Sequence, residues 1–150
     1  MPAPKSRTAA SLAGFAEYVQ KYSRNIYTLC RLLLGQGSEA EEAAVKSFTA
    51  LYEPYLRTGS DSQSFPLQAY RECIRHCTLI AQSRNVRSAA CLSWDDQLVH
   101  ALRYGLRLPL AEICPILQKG MPELKAQLRR MREQLATHAA ALHDSNLSAG

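Results

Sequence analysis

The chain reads as all-α: two small bundles of three helices each, joined by a short linker. Three observations carry this. Apolar residues recur at helical spacing along most of the chain, and no stretch alternates convincingly with period 2. Gly, Pro and Ser punctuate the periodic segments where helices start and stop. One aperiodic stretch, QSRNVRSAACL from Gln82 to Leu92, separates three helical segments from three more. The predicted organisation is a domain over residues 11–82, a linker over 83–92 and a second domain over 93–143.

In the first segment, from Ser11, the residues Phe15, Val19, Tyr22, Ile26, Leu29 and Leu33 are spaced 4-3-4-3-4, one stripe along a long helix. Gly35 and Gly37 end it. Ser38 stands three residues before Glu41, a capping-box signature. The helix that follows is predicted to bury Ala44, Phe48, Leu51 and Tyr55, with Pro54 as its breaker. EPYLRTGSDSQS is a polar loop. A third helix starts near Pro66, a good first-turn residue, with Tyr70, Ile74, Cys77 and Ala81 on one face. Beyond the linker, Ser93 caps a helix with Asp96 at the third position and Leu98, Ala101 and Leu102 inside. LPLAEICPILQKG is a short helix ended by Gly120. The last helix, about Met121 to Leu142, has Leu124, Leu128, Met131 and Leu135 as its core stripe, and the tail HDSNLSAG is expected to be disordered.

With 150 residues, 47% of them hydrophobic and 21% charged, the composition is that of an ordinary globular protein. No apolar run approaches the roughly 18 residues needed to cross a bilayer. Glu17 and Gln20 interrupt the N-terminal segment, which argues against a secretory signal. A cytoplasmic protein is expected. Its five cysteines are an odd number without framework spacing, hence reduced thiols. Cys73-x-x-His76-Cys77, with Cys91 beyond, lacks the paired knuckles of zinc sites, so neither metal nor cofactor is expected. His76, His100, His138 and His143 are scattered without carboxylate partners, and there is no phosphate-binding glycine loop. Nothing supports an enzyme.

The formal net charge is +5, and the excess is localised. Residues 119–135 hold Lys119, Lys125, Arg129, Arg130 and Arg132 against Glu123 and Glu133. A short helix, a tight turn containing Gly and a basic helix together make a helix-turn-helix signature. A recognition helix meets base edges by its N-terminal end, here Met121, Glu123, Lys125 and Gln127, while arginines further along reach phosphates. Glu123 could accept from cytosine and Gln127 pair with adenine. The plain alternative is a solvated basic face on an ordinary helical hairpin.

LCRLLLGQGSEAEEAAVKSF resembles region 2 of the bacterial extracytoplasmic-function sigma factors. The family pattern is an apolar helix ending in Leu-Leu-Gly, an Asp-Ala-Glu-Asp run, and a Gln-Glu-x-Phe. Here the matching residues are Leu33-Leu34-Gly35, Glu39-Ala40-Glu41-Glu42, and Lys46-Ser47 with Phe48. The segment over 92–136 is similar to region 4, keeping Leu102-Arg103-Tyr104, Glu112-Ile113, Lys125, Leu128, Arg130 and Arg132. The two matches cover roughly residues 12–82 and 92–136, in the family's order.

The resemblance implies a fold of a sigma-2-like three-helix domain and a sigma-4-like helix-turn-helix domain. It implies core RNA polymerase as partner through the β′ clamp helices and β flap, promoter DNA, and an anti-sigma factor as a further partner. Glu39, Glu41, Glu42 and Lys46 take the clamp-docking positions, although acids also suit any helix start through the dipole. Met121, Glu123, Lys125, Gln127, Arg129, Arg130 and Arg132 take the minus-thirty-five element. Tyr70, Arg71, Arg75 and His76 are the aromatic and basic candidates for the minus-ten element. The third helix departs from the family: Arg75-His76 stands at an Arg-Asn place, and Ala69 and Ile80 replace a Trp and an Asp. Pro115 interrupts the first helix of the helix-turn-helix, and Gly120 replaces a Ser cap. The eleven-residue stretch from Gln82 to Leu92 reaches at most about 36–40 Å, short against promoter boxes some 70 Å apart. Two readings stay open: an alternative sigma factor, or a sigma-like mimic that binds polymerase or an anti-sigma factor without reading a promoter. A plain helix-turn-helix repressor would leave the first 80 residues unexplained except as a dimerisation module.

Overall fold

The computed structural model describes residues 4–58, 64–84 and 92–148. Along it run α1 (Pro4–Leu34), α2 (Ser38–Thr58), α3 (Ser64–Arg84), α4 (Trp94–His100), α5 (Leu110–Leu117) and α6 (Met121–Ser148). No strand occurs among the described residues. The expected linker falls largely on residues 85–91, outside them.

The first three helices close on Ile26, Leu29, Cys30, Leu51, Phe65, Ala69, Tyr70, Cys73 and Cys77, all buried. At their outer end Phe15, Tyr18, Tyr22 and Tyr55 gather round Phe65. The Tyr18 and Phe65 rings stack at 4.5 Å and those of Phe15 and Tyr55 lie 5.2 Å apart, within the range where aromatic pairs attract. α1 ends as expected at Gly35, whose φ of +85° a side chain rarely adopts and whose N–H donates to Arg31 O (2.8 Å).

α2 does not stop at Pro54 but runs four residues past it. Proline's missing N–H costs one helical bond, whereas continuing brings Tyr55 into the aromatic cluster, 9% exposed. Packing wins. α1 likewise starts at Pro4, earlier than Ser11.

In the last three helices, Ser93 caps α4 and its Oγ accepts from Asp96 N–H (3.1 Å). α4 passes into a wider turn over Ala101–Gly105, where Leu106 N–H reaches back five residues to Ala101 O (2.9 Å). α5 stays helical through Pro115 and ends at Gln118, which holds the left-handed conformation (φ 55°, ψ 46°), two residues before the Gly120 expected to end it. Lys119 N–H closes that end on Cys114 O (2.9 Å). α6 runs to Ser148 and takes in most of the tail expected to be disordered. Its core stripe is Leu124, Leu128 and Met131, while Leu135 is 43% exposed.

The two groups of helices also touch. Arg71 on α3 donates through Nη2 (2.6 Å) and Nε (3.2 Å) to Pro115 O on α5. Trp94 Nε1 donates to Thr78 Oγ1 (3.0 Å). Gly105 lies so close to Leu32 on α1 that a Cβ there would collide with it.

Candidate functional site

The acidic start of α2 stands beside an open groove of about 520 Å³ between α1 and α2, lined by Val19, Ser23, Arg24, Tyr27, Glu41, Ala44, Val45 and Phe48. Glu41 and Glu42 are exposed and Glu39 is half-buried. Lys46 Nζ lies 2.7 Å from Glu42 Oε1, one turn along the helix. This hydrogen bond and the ammonium charge lower the Glu42 pKa. Val45 is 65% exposed next to them. An apolar groove with Glu41 and Arg24 in its lining, and the further acids Glu39 and Glu42 on the adjoining helix start, suits an amphipathic partner helix with an apolar stripe.

α6 presents the basic face. Lys125, Arg129 and Arg132 are exposed, as are Glu123 and Arg130, and Met121 is half-buried at the N-terminal end. Gln127, expected at base edges, faces the opposite way and is 4% exposed. Its Nε2 donates to Asp95 Oδ2 and to Asp96 Oδ1, both at 2.8 Å. Arg130 Nη2 also donates to Asp96 Oδ1 (3.1 Å), and Lys119 Nζ lies 2.8 Å from Asp95 Oδ2 and 3.8 Å from Glu123 Oε1. Two carboxylates in the first turn of α4 thus hold α6 and the turn before it. Sequence alone did not single out Asp95, counted Lys119 only as part of the basic excess and took Asp96 only as a capping residue. A signal was there: Gln127 shares the 3-1-3 spacing of Leu124, Leu128 and Met131, the pattern of a helix face turned to a core.

The minus-ten candidates on α3 are not gathered on a free face. Tyr70 is 4% exposed and its hydroxyl accepts from Asn25 Nδ2 (3.0 Å); burial raises its pKa, against the lowering effect of that bond. The Arg71 guanidinium is taken by Pro115 O. Arg75 Nε lies 3.3 Å from Glu72 Oε2 and stays exposed. His76 Nε2 lies 3.4 Å from the same oxygen without hydrogen-bond geometry. Only Arg75 is outward-facing without a tie to another helix.

No family model and no curated protein matches the chain. Solved structures do. CnrH in complex with the cytosolic domain of CnrY is similar with a TM-score of 0.70 and 14% identity, over 90% of this chain and 96% of that one. CnrH is an extracytoplasmic-function sigma factor. The likeness establishes the fold: all-α, with a sigma-2-like three-helix part and a sigma-4-like helix-turn-helix part. None of the described helices is long and apolar enough to cross a membrane.

Proposed function

We propose that this chain is an alternative sigma factor of the extracytoplasmic-function type, a non-catalytic subunit that directs core RNA polymerase to particular promoters. The observation that carries the reading is that one sigma-like fold spans 90% of the chain while region 2 and region 4 motifs recur in the same order along its sequence. The groove beside Glu41 and Val45 takes the β′ clamp helices, with Glu41 in its lining and Glu39, Glu42 and Lys46 beside it on the N-terminal half of α2. The β flap is the expected second contact. Lys125, Arg129, Arg130 and Arg132 engage the phosphates of the minus-thirty-five element, and Met121 and Glu123 lie nearest its bases. Gln127 is left out of that set, because it is buried and its Nε2 already donates to Asp95 and Asp96.

A second reading has its own support. Tyr70 and Arg71 are occupied inside the protein, which favours a sigma-like protein that engages an anti-sigma factor or polymerase without opening DNA. CnrH in complex with CnrY offers a precedent for the first of those partners. Transcription by purified core polymerase, with and without this protein, on the upstream regions of its own genome separates the two. Specific starts that depend on the protein support the sigma factor; core binding without starts supports the mimic.

A further inference from the structure

Three thiols meet in the core between α1 and α3. The sulfur atoms of Cys30, Cys73 and Cys77 all lie within 4.8 Å of one another, and those of Cys30 and Cys73 are 3.3 Å apart. All three residues are 0% exposed. Cys73 and Cys77 lie one turn apart on α3 and so share a face; Cys30 arrives from a different helix. A buried cysteine is ordinarily a small apolar filler, and filling needs no convergence of sulfur atoms. The tertiary fold brings a third thiol to the pair that the sequence places at Cys73-x-x-x-Cys77.

The triangle has the size of a coordination site. At the roughly 2.3 Å of a metal–thiolate bond, three sulfurs around one ion lie about 4.0 Å apart. The Cys30–Cys73 edge of 3.3 Å is shorter than that and no edge exceeds 4.8 Å, so modest side-chain adjustments complete the geometry. Among the described residues, no fourth Cys, His, Asp or Glu ligand atom joins the group. Structural zinc takes four ligands, and hard cations take oxygen. A small all-thiolate set with no fourth ligand suits a soft ion.

We propose that Cys30, Cys73 and Cys77 form a three-coordinate thiolate site for Cu(I) that clamps α1 to α3. On loading, each ligating thiol gives its proton to solvent and a copper–sulfur bond takes its place, with no change in oxidation state. The site is enclosed, so entry follows local opening of α3 from α1 and loading is slow. The bound ion stabilises the native state by mass action and fixes the helix that carries Arg71, Arg75 and His76. This site stands independently of the transcriptional role.

The test uses the full chain, reduced and anaerobic, equilibrated with Cu(I) in competition with a chromogenic Cu(I) chelator. One copper per chain withheld from the chelator, three sulfur neighbours in copper X-ray absorption and a raised Tm are expected. Cys73→Ser should weaken retention by more than the roughly tenfold to hundredfold that losing an outer-shell partner costs. Cys77→Ala, checked for helix content by circular dichroism, should do the same without placing a hydroxyl in the core. The double variant Cys91→Ser/Cys114→Ser should retain copper. No copper withheld by the wild type, equal retention in Cys73→Ser and Cys77→Ala, loss in the double variant, or a stoichiometric four-coordinate Zn(II) bound in preference would each overturn the assignment.

Discussion

Gln127 separates a base-reading role from an anchoring one, and Gln127→Met tests which it has. Methionine keeps the length and volume of the side chain and removes its donors. The buried carboxylate of Asp96 then loses a charge-assisted hydrogen bond of 2.8 Å, a loss of about 1.5–3 kcal/mol. The Asp95 bond matters less, because that side chain is 54% exposed and water replaces the donor, leaving about 0.5 kcal/mol. Against these stands Gln127 Oε1, buried without a hydrogen-bond partner; its removal returns about 1 kcal/mol of desolvation cost. Arg130 still donates to Asp96 Oδ1, so the carboxylate is not orphaned. The net loss is about 1–3 kcal/mol, a fall in Tm of roughly 3–10 °C for a chain of this size.

Urea denaturation followed by helix circular dichroism measures the loss, and DNA binding to a panel of minus-thirty-five sequences is scored on the same variant. Anchoring predicts lower stability and unchanged rank order among sequences. A variant as stable as the wild type with a reordered preference would refute the reasoning from burial.

Three further outcomes follow from the geometry. Arg129→Ala and Arg132→Ala should each weaken binding to all DNA sequences alike and flatten the salt dependence of log K by about one unit, read by fluorescence anisotropy across a salt series; a change confined to one sequence contradicts a phosphate role. Charge reversal at Glu41 and Glu42 should reduce capture of core polymerase with helix content unchanged, and undiminished capture removes the docking role of the acidic start of α2. Tyr70 is held neutral by burial, so its contribution to stability is intact below about pH 10, where an unfolded tyrosine ionises, and is lost as pH rises toward its higher native value. Tyr70→Phe should therefore narrow the drop in urea midpoint between about pH 8 and pH 11; an identical drop in both proteins shows the hydroxyl to be exposed in the native state.

How far the sequence could be read depends on which force decided each feature. Helix existence follows from apolar period, a local property, and all six segments are present. Ser93 was readable as a cap because capping needs only its own first turn. Pro54 and Gln118 were not. Each violates a local rule, proline against helix and non-glycine in the left-handed region, and each is overruled by contacts made elsewhere, at Tyr55 and at the junction of α5 with α6. The charged residues divide in the same way. Lys125, Arg129 and Arg132 are exposed as their spacing required, whereas Gln127 and Asp96 are buried together across a separation of 31 residues. Polarity alone put Gln127 on the surface; a partner distant in sequence lets it be buried.

The same long-range commitment limits what α3 can do. Its inner face is spent on Ala69, Tyr70, Cys73 and Cys77 in the core, and Arg71 is tied to α5 through Pro115 O. A helix whose aromatic and first basic candidate are both engaged cannot meet a DNA strand as it stands. The Arg71 contact is the weaker commitment, because its guanidinium lies at an exposed position and water can replace a carbonyl there, whereas freeing Tyr70 would open the core and strand the Asn25 amide. Parting α3 from α5 therefore releases Arg71, joins it to Arg75 on the outer face of α3 and leaves Tyr70 where it is. Any contact of this helix with DNA would then be made through arginines and the phosphate backbone, with Tyr70 left in the core.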